Sequence, residues 1–234
     1  MRDCDSATIL SHTIIPATAD TKIVIDHRRM RTMIGISSRD CHILSLVPEN
    51  MSAMGSLSES TMFVLQQNRK IGFGVGFYRS RSSQPSLRIL DNSTSVGSFA
   101  KRSIEMLASR PHNFRNIKDF SVPLSTGVAV PWSGLLRGFE RLERLSITAF
   151  HASSVLSVLM VIDQDNRPIC PALKQLDVHE KGDDVIAFDK EDMTRFFAAR
   201  IALRCAATQV TIRWPGGKRT WKCKAIGGLT VVGI

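Results

Sequence analysis

A six-residue phrase with apolar residues at its first, fourth and sixth positions recurs along the second half of the chain. It occupies 117–122, 142–147, 173–178 and, in a weaker form, 207–212, and its starts lie 25, 31 and 34 residues apart. Successive side chains of a β-strand point to opposite faces, so the fourth and sixth residues share one face. The phrase therefore predicts four strands, each with one apolar side.

The segments between the phrases carry a helical pattern instead. Apolar spacing predicts helices at 132–139 and 153–160. The clearest helix follows the capping residue Asp189, with acids in its first turn and Arg200 and Arg204 in its last. Its apolar stripe is Met193, Phe196, Phe197, Ala199, Ile201 and Leu203. Strand–helix units stack so that each buries its apolar face against the next. We therefore expect an α/β fold, an irregular leucine-rich-repeat-like solenoid whose strands form one curved sheet with helices on the other side.

The first half of the chain extends this organisation. Short apolar runs predict strands at 22–25, 43–47, 62–65, 71–77 and 86–90, and a helix follows at 98–109. A polar run that ends in proline predicts an internal loop at 78–85. We expect residues 1–213 to form a single leucine-rich-repeat-like domain and the basic, Gly-rich tail at 214–234 to be poorly ordered.

The polar positions of the strand phrases are the first candidate for a functional site. Because they alternate with the apolar positions, they should lie on the exposed side of the sheet, where a partner can reach them. This predicts a non-enzymatic scaffold that binds another protein. The expected partner surface consists of Lys118, Asp119, Ser121, Glu143, Arg144, Ser146, Lys174, Gln175 and Asp177.

The charge of the chain supplies a second candidate. It has 31 Lys and Arg against 21 Asp and Glu, a net charge of +10 at pH 7, and residues 200–224 contain no acid. Cations interleaved with tryptophans can attract phosphates and stack on bases. The alternative function is therefore nucleic-acid binding through this region. The expected contacts are Arg213, Trp214, Lys218, Arg219, Trp221, Lys222 and Lys224.

Motifs for other chemistry are weak. Gly72, Gly74 and Gly76 recur every two residues, which is typical of a strand with one bare face rather than a dinucleotide-binding loop. The histidines lack metal-binding spacing, the five cysteines are widely separated, and no nucleophile–base constellation can be assembled. We therefore expect no catalytic, cofactor or metal site. Because no signal peptide or membrane-spanning stretch is visible, we expect an intracellular protein, cytoplasmic or nuclear, without a membrane partner.

Two segments carry a resemblance to a known family. Residues 131–145 (PWSGLLRGFERLERL), where an apolar helix runs into a strand, and 170–176 (CPALKQL) resemble the divergent leucine-rich-repeat portion of F-box-like proteins expanded in mushroom-forming fungi. The likeness covers most of the chain. It implies substrate selection for a cullin-type ubiquitin ligase. A helical F-box, which would dock the ligase adaptor, is not recognisable, so the chain could also be a truncated family member without independent activity.

Overall fold

The computed structural model describes residues 21–25, 60–68, 72–80, 85–91, 96–109, 116–124, 129–180, 190–205, 209–214, 217–224 and 230–233. Its strands are β1 (Thr21–Ile25), β2 (Met62–Asn68), β3 (Gly72–Tyr78), β4 (Pro85–Asp91), β5 (Asp119–Val122), β6 (Arg144–Thr148), β7 (Gln175–His179), β8 (Gln209–Trp214), β9 (Gly217–Lys224) and β10 (Thr230–Gly233). Its helices are α1 (Val96–Ser109), α2 (Trp132–Arg137), α3 (Ala152–Leu159) and α4 (Lys190–Ala202), with a 3-10 turn at Ala149–His151.

The described strands form one open, mixed sheet. Their order is β1-β4-β3-β2-β5-β6-β7-β8-β9-β10. β5 to β8 are parallel neighbours, whereas β2, β3 and β4 pair antiparallel, as do β8, β9 and β10. β1 pairs with β4 and β2 pairs with β5 in parallel. The architecture is a mixed α/β fold in which helices connect the parallel strands, as the alternating pattern predicts.

The four strand phrases are confirmed as β5 to β8, and their spacing sets the register. The fourth residues are aligned across the sheet, and so are the sixth residues. Both sets are buried: Phe120, Leu145, Leu176 and Val210 in the first, and Val122, Ile147, Val178 and Ile212 in the second. A slip of one residue would turn an apolar set to the opposite side of the sheet, so burial of these residues favours this alignment.

The predicted helices are also confirmed, as α1 to α4. Residues from all four pack into one buried cluster with the apolar side of the sheet, so the helices cover that side. α1 and α2 approach each other closely at Gly134, where an added Cβ would lie 3.2 Å from the Cβ of Ala108. A larger residue at this position would push the two helices apart.

The apolar stripe predicted for α4 is only partly correct. Met193, Phe196 and Phe197 are buried, but Ile201 is 53% exposed and Arg200 only 2%. The Arg200 guanidinium donates hydrogen bonds to the backbone carbonyls of Ile169, at 2.9 Å, and of Cys170, at 2.8 Å. Desolvation lowers the pKa of this guanidinium, and the two carbonyls replace part of the water that it has lost.

Four buried phenylalanines join the antiparallel strands to the parallel ones. The ring of Phe120 stacks on Phe63, with centroids 5.2 Å apart, and on Phe139, with centroids 4.7 Å apart. Phe63 also contacts Phe77, at 4.8 Å. These separations lie in the favourable range for aromatic pairs. The cluster therefore ties β2 and β3 to the first repeat strand and to the turn that follows α2.

The remaining sequence expectations have mixed outcomes. The strands predicted at 22–25, 62–65, 71–77 and 86–90 are confirmed, whereas 43–47 lies outside the described residues. Of the loop predicted at 78–85, Tyr78 ends β3 and Pro85 begins β4, two strands that pair antiparallel, and residues 81–84 lie outside the described residues. Within the tail at 214–234, β9 and β10 continue the sheet beyond β8.

Candidate interaction surface

The side of the sheet opposite the helices carries a set of polar side chains from β5 to β9. These alternate with the buried residues along each strand, so their Cβ atoms point away from the core. We refer to this set as the polar face. Its members are Asp119, Ser121, Arg144, Ser146, Thr148, Gln175, Asp177, His179, Gln209, Thr211, Arg213, Lys218, Thr220 and Lys222.

Six of the nine residues expected at a partner surface lie on the polar face: Asp119, Ser121, Arg144, Ser146, Gln175 and Asp177. The other three, Lys118, Glu143 and Lys174, each directly precede a strand. Their carbonyls link successive units: that of Lys118 accepts the N–H groups of Glu143 and Arg144, and that of Glu143 accepts those of Lys174 and Gln175. These three residues therefore form an edge beside the polar face.

This edge carries an ion pair between successive units. The Lys174 Nζ donates to Glu143 Oε2 at 3.0 Å, and both side chains are exposed to solvent. The hydrogen bond and charge of Lys174 lower the pKa of the Glu143 carboxyl. Because both side chains are solvated, the ion pair adds little to the free energy of folding, and its main effect is on the charge pattern of the edge.

Small oxygen-bearing side chains run across the middle of the polar face. Register places Ser121, Ser146, Asp177, Thr211 and Thr220 side by side on five neighbouring strands. Their hydrogen bonds are local: Gln175 Nε2 donates to Asp177 Oδ2 at 2.7 Å, and the hydroxyls of Thr211 and Thr220 are 3.3 Å apart. Asp177, which was expected at the exposed surface, is only 5% exposed, and Thr211 is 1% exposed. The hydroxyls of this row that a partner can reach are therefore those of Ser121, Ser146 and Thr220, which are partly exposed.

The charges on the polar face are unevenly paired. Arg144 lies 4.0 Å from Asp119, and Arg213 lies 3.3 Å from Asp177, so both acids of the face have a basic neighbour. Lys218 and Lys222 have no acid within 4.0 Å among the described residues. Positive charge is therefore left at the β9 end of the face.

The residues expected to contact nucleic acid are divided between the two sides of the sheet. Arg213, Lys218 and Lys222 are on the polar face, but Trp221 belongs to the buried core at 7% exposure, with Arg219 5.8 Å from its ring centroid. Burial leaves the Trp221 ring unavailable for stacking on a base.

The other two residues expected to contact nucleic acid, Trp214 and Lys224, do not add an aromatic ring to the polar face. The Trp214 ring is 39% exposed, but it lies on the side of the sheet opposite the polar face and close to Gly217, where an added Cβ would meet it at 2.7 Å. Lys224 ends β9, and its side chain lies outside the described residues. The clustering of cations and rings in sequence therefore does not become a mixed cation–aromatic surface.

Sequence reasoning missed five members of the polar face, of which Thr148 and His179 directly follow the second and third strand phrases. Gln209 and Thr211 occupy the third and fifth positions of the fourth phrase, and the equivalence of these positions in the other phrases was the available signal. Thr220 joins the face only through pairing of β9 with β8. Arg213 was assigned to the alternative function, yet its nearest described acid is Asp177 of the first candidate surface.

The glycines at 72, 74 and 76 lie in β3, which confirms a strand in place of a dinucleotide loop. The bare face of Gly76 is covered by the ring of Tyr78, 2.7 Å from where a Cβ would stand. Val64 and Gly76 are paired on this side of β2 and β3, so the polar face ends at β5.

A cavity of about 450 Å³ lies away from the polar face, beside α2 and the loop at 163–171. Oδ1 of Asp163, one of its three acids, accepts the N–H groups of Asp165 at 2.9 Å and Arg167 at 2.8 Å, and Oδ2 lies 3.9 Å from Arg137 Nε. The carboxylate therefore organises its own loop. Across the described part of the chain, no cluster of three metal-ligating side chains is present.

Two buried side chains near the helices bear on stability. His151 is 3% exposed, and its ring meets that of Trp132 edge-on with centroids 5.3 Å apart. Burial lowers the pKa of this imidazole. The Cys170 thiol is buried beside Arg200, and desolvation raises its pKa to about 12, which disfavours the reactive thiolate.

None of the described helices combines the length and apolar character needed to cross a membrane. Comparisons of the chain with protein-family models, with curated proteins and with solved structures found no match.

Proposed function

We propose that this chain is a non-enzymatic protein-interaction scaffold that holds its partner on the polar face. The observation that carries the proposal is the in-register set of parallel strands β5 to β8, with apolar side chains on the helix side and polar side chains on the other. The core is complete without the exposed polar groups. They are therefore free to vary with the partner, while the strands hold them in place.

The repeat geometry supports a finer proposal for the fold, an irregular leucine-rich-repeat-like solenoid. The carbonyls of Thr61, Lys118 and Glu143 each accept two N–H groups from the start of the next repeat strand. The same turn precedes β6 and β7: Leu142 N donates to Phe139 O at 3.3 Å, and Leu173 N donates to Cys170 O at 3.1 Å. Equivalent turns in successive units are what a stacked repeat requires.

The resemblance to F-box-like proteins suggests a biological setting. In that family the repeat region selects the substrate of a ubiquitin ligase. We propose the same role for the polar face, with the substrate lying across β5 to β8. Its mixture of hydroxyl, amide and paired charged groups suits a polar protein surface.

The test is affinity capture of the tagged chain and of two matched variants, followed by mass spectrometry. Ser146→Arg places a bulky cation in the middle of the polar face, whereas Ser157→Arg makes the same change on an exposed position of α3. We expect Ser146→Arg to lose partners that the native chain and Ser157→Arg both retain. Ligase adaptor or cullin subunits among the captured proteins would support the ligase setting. If both variants capture the same proteins as the native chain, the polar face is not the binding surface.

Nucleic-acid binding is the second candidate, favoured by the charge of Lys218 and Lys222, which have no acidic partner among the described residues. If it is correct, affinity for an oligonucleotide should fall steeply between about 50 and 200 mM salt, because phosphate contacts release counterions. An affinity that does not change with salt argues against nucleic-acid binding. So does a set of captured proteins that is the same with and without nuclease treatment.

A further inference from the structure

The β8–β9 hairpin arranges three cations on the polar face. Arg213 and Lys218 are directly paired across the two strands, and Lys222 is paired with Gln209. Thr211 and Thr220 form the rung between them, with their hydroxyls 3.3 Å apart. Lys218 and Lys222 are four strand residues apart, which is about 13 Å at roughly 3.3 Å per residue. The hairpin therefore presents two ammonium groups with a hydroxyl between them.

The local charge balance favours an anionic ligand. Arg213 is 3.3 Å from Asp177, but among the described residues neither lysine has an acidic partner. Both lysines are exposed, and their flexible side chains can reach a ligand lying over the strands. A ligand with two negative groups would match the two lysines and accept a hydrogen bond from the threonine hydroxyl between them.

The lack of Phe, Tyr and Trp on the polar face distinguishes between the possible anionic ligands. None of its fourteen residues is Phe, Tyr or Trp, and its one ring is the imidazole of His179, paired with Arg213. The two tryptophans of the hairpin belong to the other side, where Trp221 is buried. Binding of single-stranded nucleic acid uses aromatic stacking platforms, which are missing from this surface. Carboxylates need only the cations and hydroxyls that are present.

We propose that the β9 part of the polar face binds an extended acidic segment of a partner protein. In an extended chain, residues i, i+2 and i+4 share one face and i to i+4 spans the same distance as Lys218 to Lys222. The segment therefore has Asp or Glu at i and i+4, opposite the two lysines, and a hydrogen-bonding residue at i+2, opposite Thr220. The inference rests on the proposed function, since it names the chemistry of a partner on the polar face.

The test is an NMR titration of the isotope-labelled full chain with synthetic peptides. The probe carries two glutamates four residues apart in a Gly, Ser and Thr background. A control peptide of equal composition has them three residues apart, so that they point to opposite sides of an extended chain. We expect the probe to shift amide signals of β8 and β9 and to bind more tightly than the control peptide.

Matched variants locate the contacts. Lys218→Gln and Lys222→Gln should each weaken the probe about two- to fivefold, the usual effect of losing one exposed ion pair. Lys101→Gln makes the same change at an exposed position of α1 and should leave the affinity for the probe unchanged. The proposal is overturned if both peptides bind equally, if the shifts lie away from β8 and β9, or if a single-stranded or duplex oligonucleotide binds through these lysines more tightly than the probe at equal salt.

Different results would refute the proposed scaffold function and the acidic-segment inference. If Ser146→Arg loses its cellular partners but the probe does not bind, the scaffold function stands and the acidic-segment inference falls. If the probe binds as expected but Ser146→Arg keeps every partner, the lysine site stands and β5 to β8 are not the wider surface.

Discussion

Replacing Phe120 with alanine should produce one of the largest losses of stability available in this chain. Phe120 is 1% exposed and lies on the helix side of β5. Its ring is stacked between Phe63, with centroids 5.2 Å apart, and Phe139, with centroids 4.7 Å apart. The substitution would therefore leave a cavity where the antiparallel strands meet the repeat strands.

The expected magnitude follows from burial. Truncating a buried Phe to Ala costs about 3–5 kcal/mol, because apolar contacts are lost and the cavity refills only in part. Phe120→Leu keeps most of the apolar volume but loses both ring contacts, each contributing roughly 0.5–1.5 kcal/mol, so a loss of about 1–3 kcal/mol is expected. Phe150→Ala is the matched control, since Phe150 is 51% exposed. It should cost no more than about 1.5 kcal/mol.

Urea unfolding followed by far-UV circular dichroism measures these differences. At an m-value of about 3 kcal/mol/M, a loss of about 4 kcal/mol lowers the unfolding midpoint by roughly 1.3 M. Equal midpoints for Phe120→Ala and Phe150→Ala would refute the placement of Phe120 in the cluster, and with it the register of β5 against β2.

Three further substitutions test other parts of the fold by the same assay. Arg200→Ala leaves two buried carbonyls without their charged donor and should cost about 3–5 kcal/mol, whereas exposed Arg195→Ala on the same helix should cost less than about 0.5 kcal/mol. The lowered pKa of His151 means that this imidazole binds a proton more readily in the unfolded chain than in the folded one. The free energy of unfolding should therefore be full above about pH 6.5 and fall as pH decreases through the folded-state pKa. His151→Leu should flatten this fall between about pH 7 and 5. Gly134→Leu should cost about 1–3 kcal/mol by forcing α1 from α2, and exposed Ser133→Leu should change stability by no more than about 0.5 kcal/mol.

The sequence was sufficient to predict the repeat strands because their apolar residues recur with one spacing. Leu145 and Ile147 have equivalents in each neighbouring unit, and the alternation itself assigned Ser146 to the opposite side. The helix at 190–202 could be found because acids at its start and Arg200 near its end fit the helix dipole. These patterns involve residues close together in sequence, so they can be recognised without knowledge of the tertiary fold.

Other features depend on contacts between distant segments. The sequence placed Arg200 in the last turn of its helix without indicating that it is buried; the carbonyls of Ile169 and Cys170, about thirty positions earlier, accept its hydrogen bonds and allow its burial. Trp221 attracted attention because lysines and an arginine surround it, yet pairing of β9 with β8 turns its ring into the core. The burial of Arg200 and of Trp221 cannot be predicted from the spacing of apolar residues, because it depends on which distant element packs against each side chain.

The order of the first strands was also beyond local reasoning. β2 lies beside β5, and β1 pairs with β4 across a long separation in sequence. The phenylalanine cluster around Phe63 stabilises this arrangement, but its members come from β2, β3, β5 and the turn after α2. An apolar run predicts that a strand is buried, and says little about which neighbour buries it.

Site-specific photo-cross-linking in cells is the most direct test of the polar face as the partner surface. A photoreactive amino acid would replace Gln175, in the middle of the face, and in a separate protein Ser157, on the exposed side of α3. We predict a partner protein that cross-links from position 175 in amounts well above those from position 157, and that is lost when Ser146→Arg is added. Equal cross-linking from both positions, or cross-linking from position 157 alone, would contradict the proposed function.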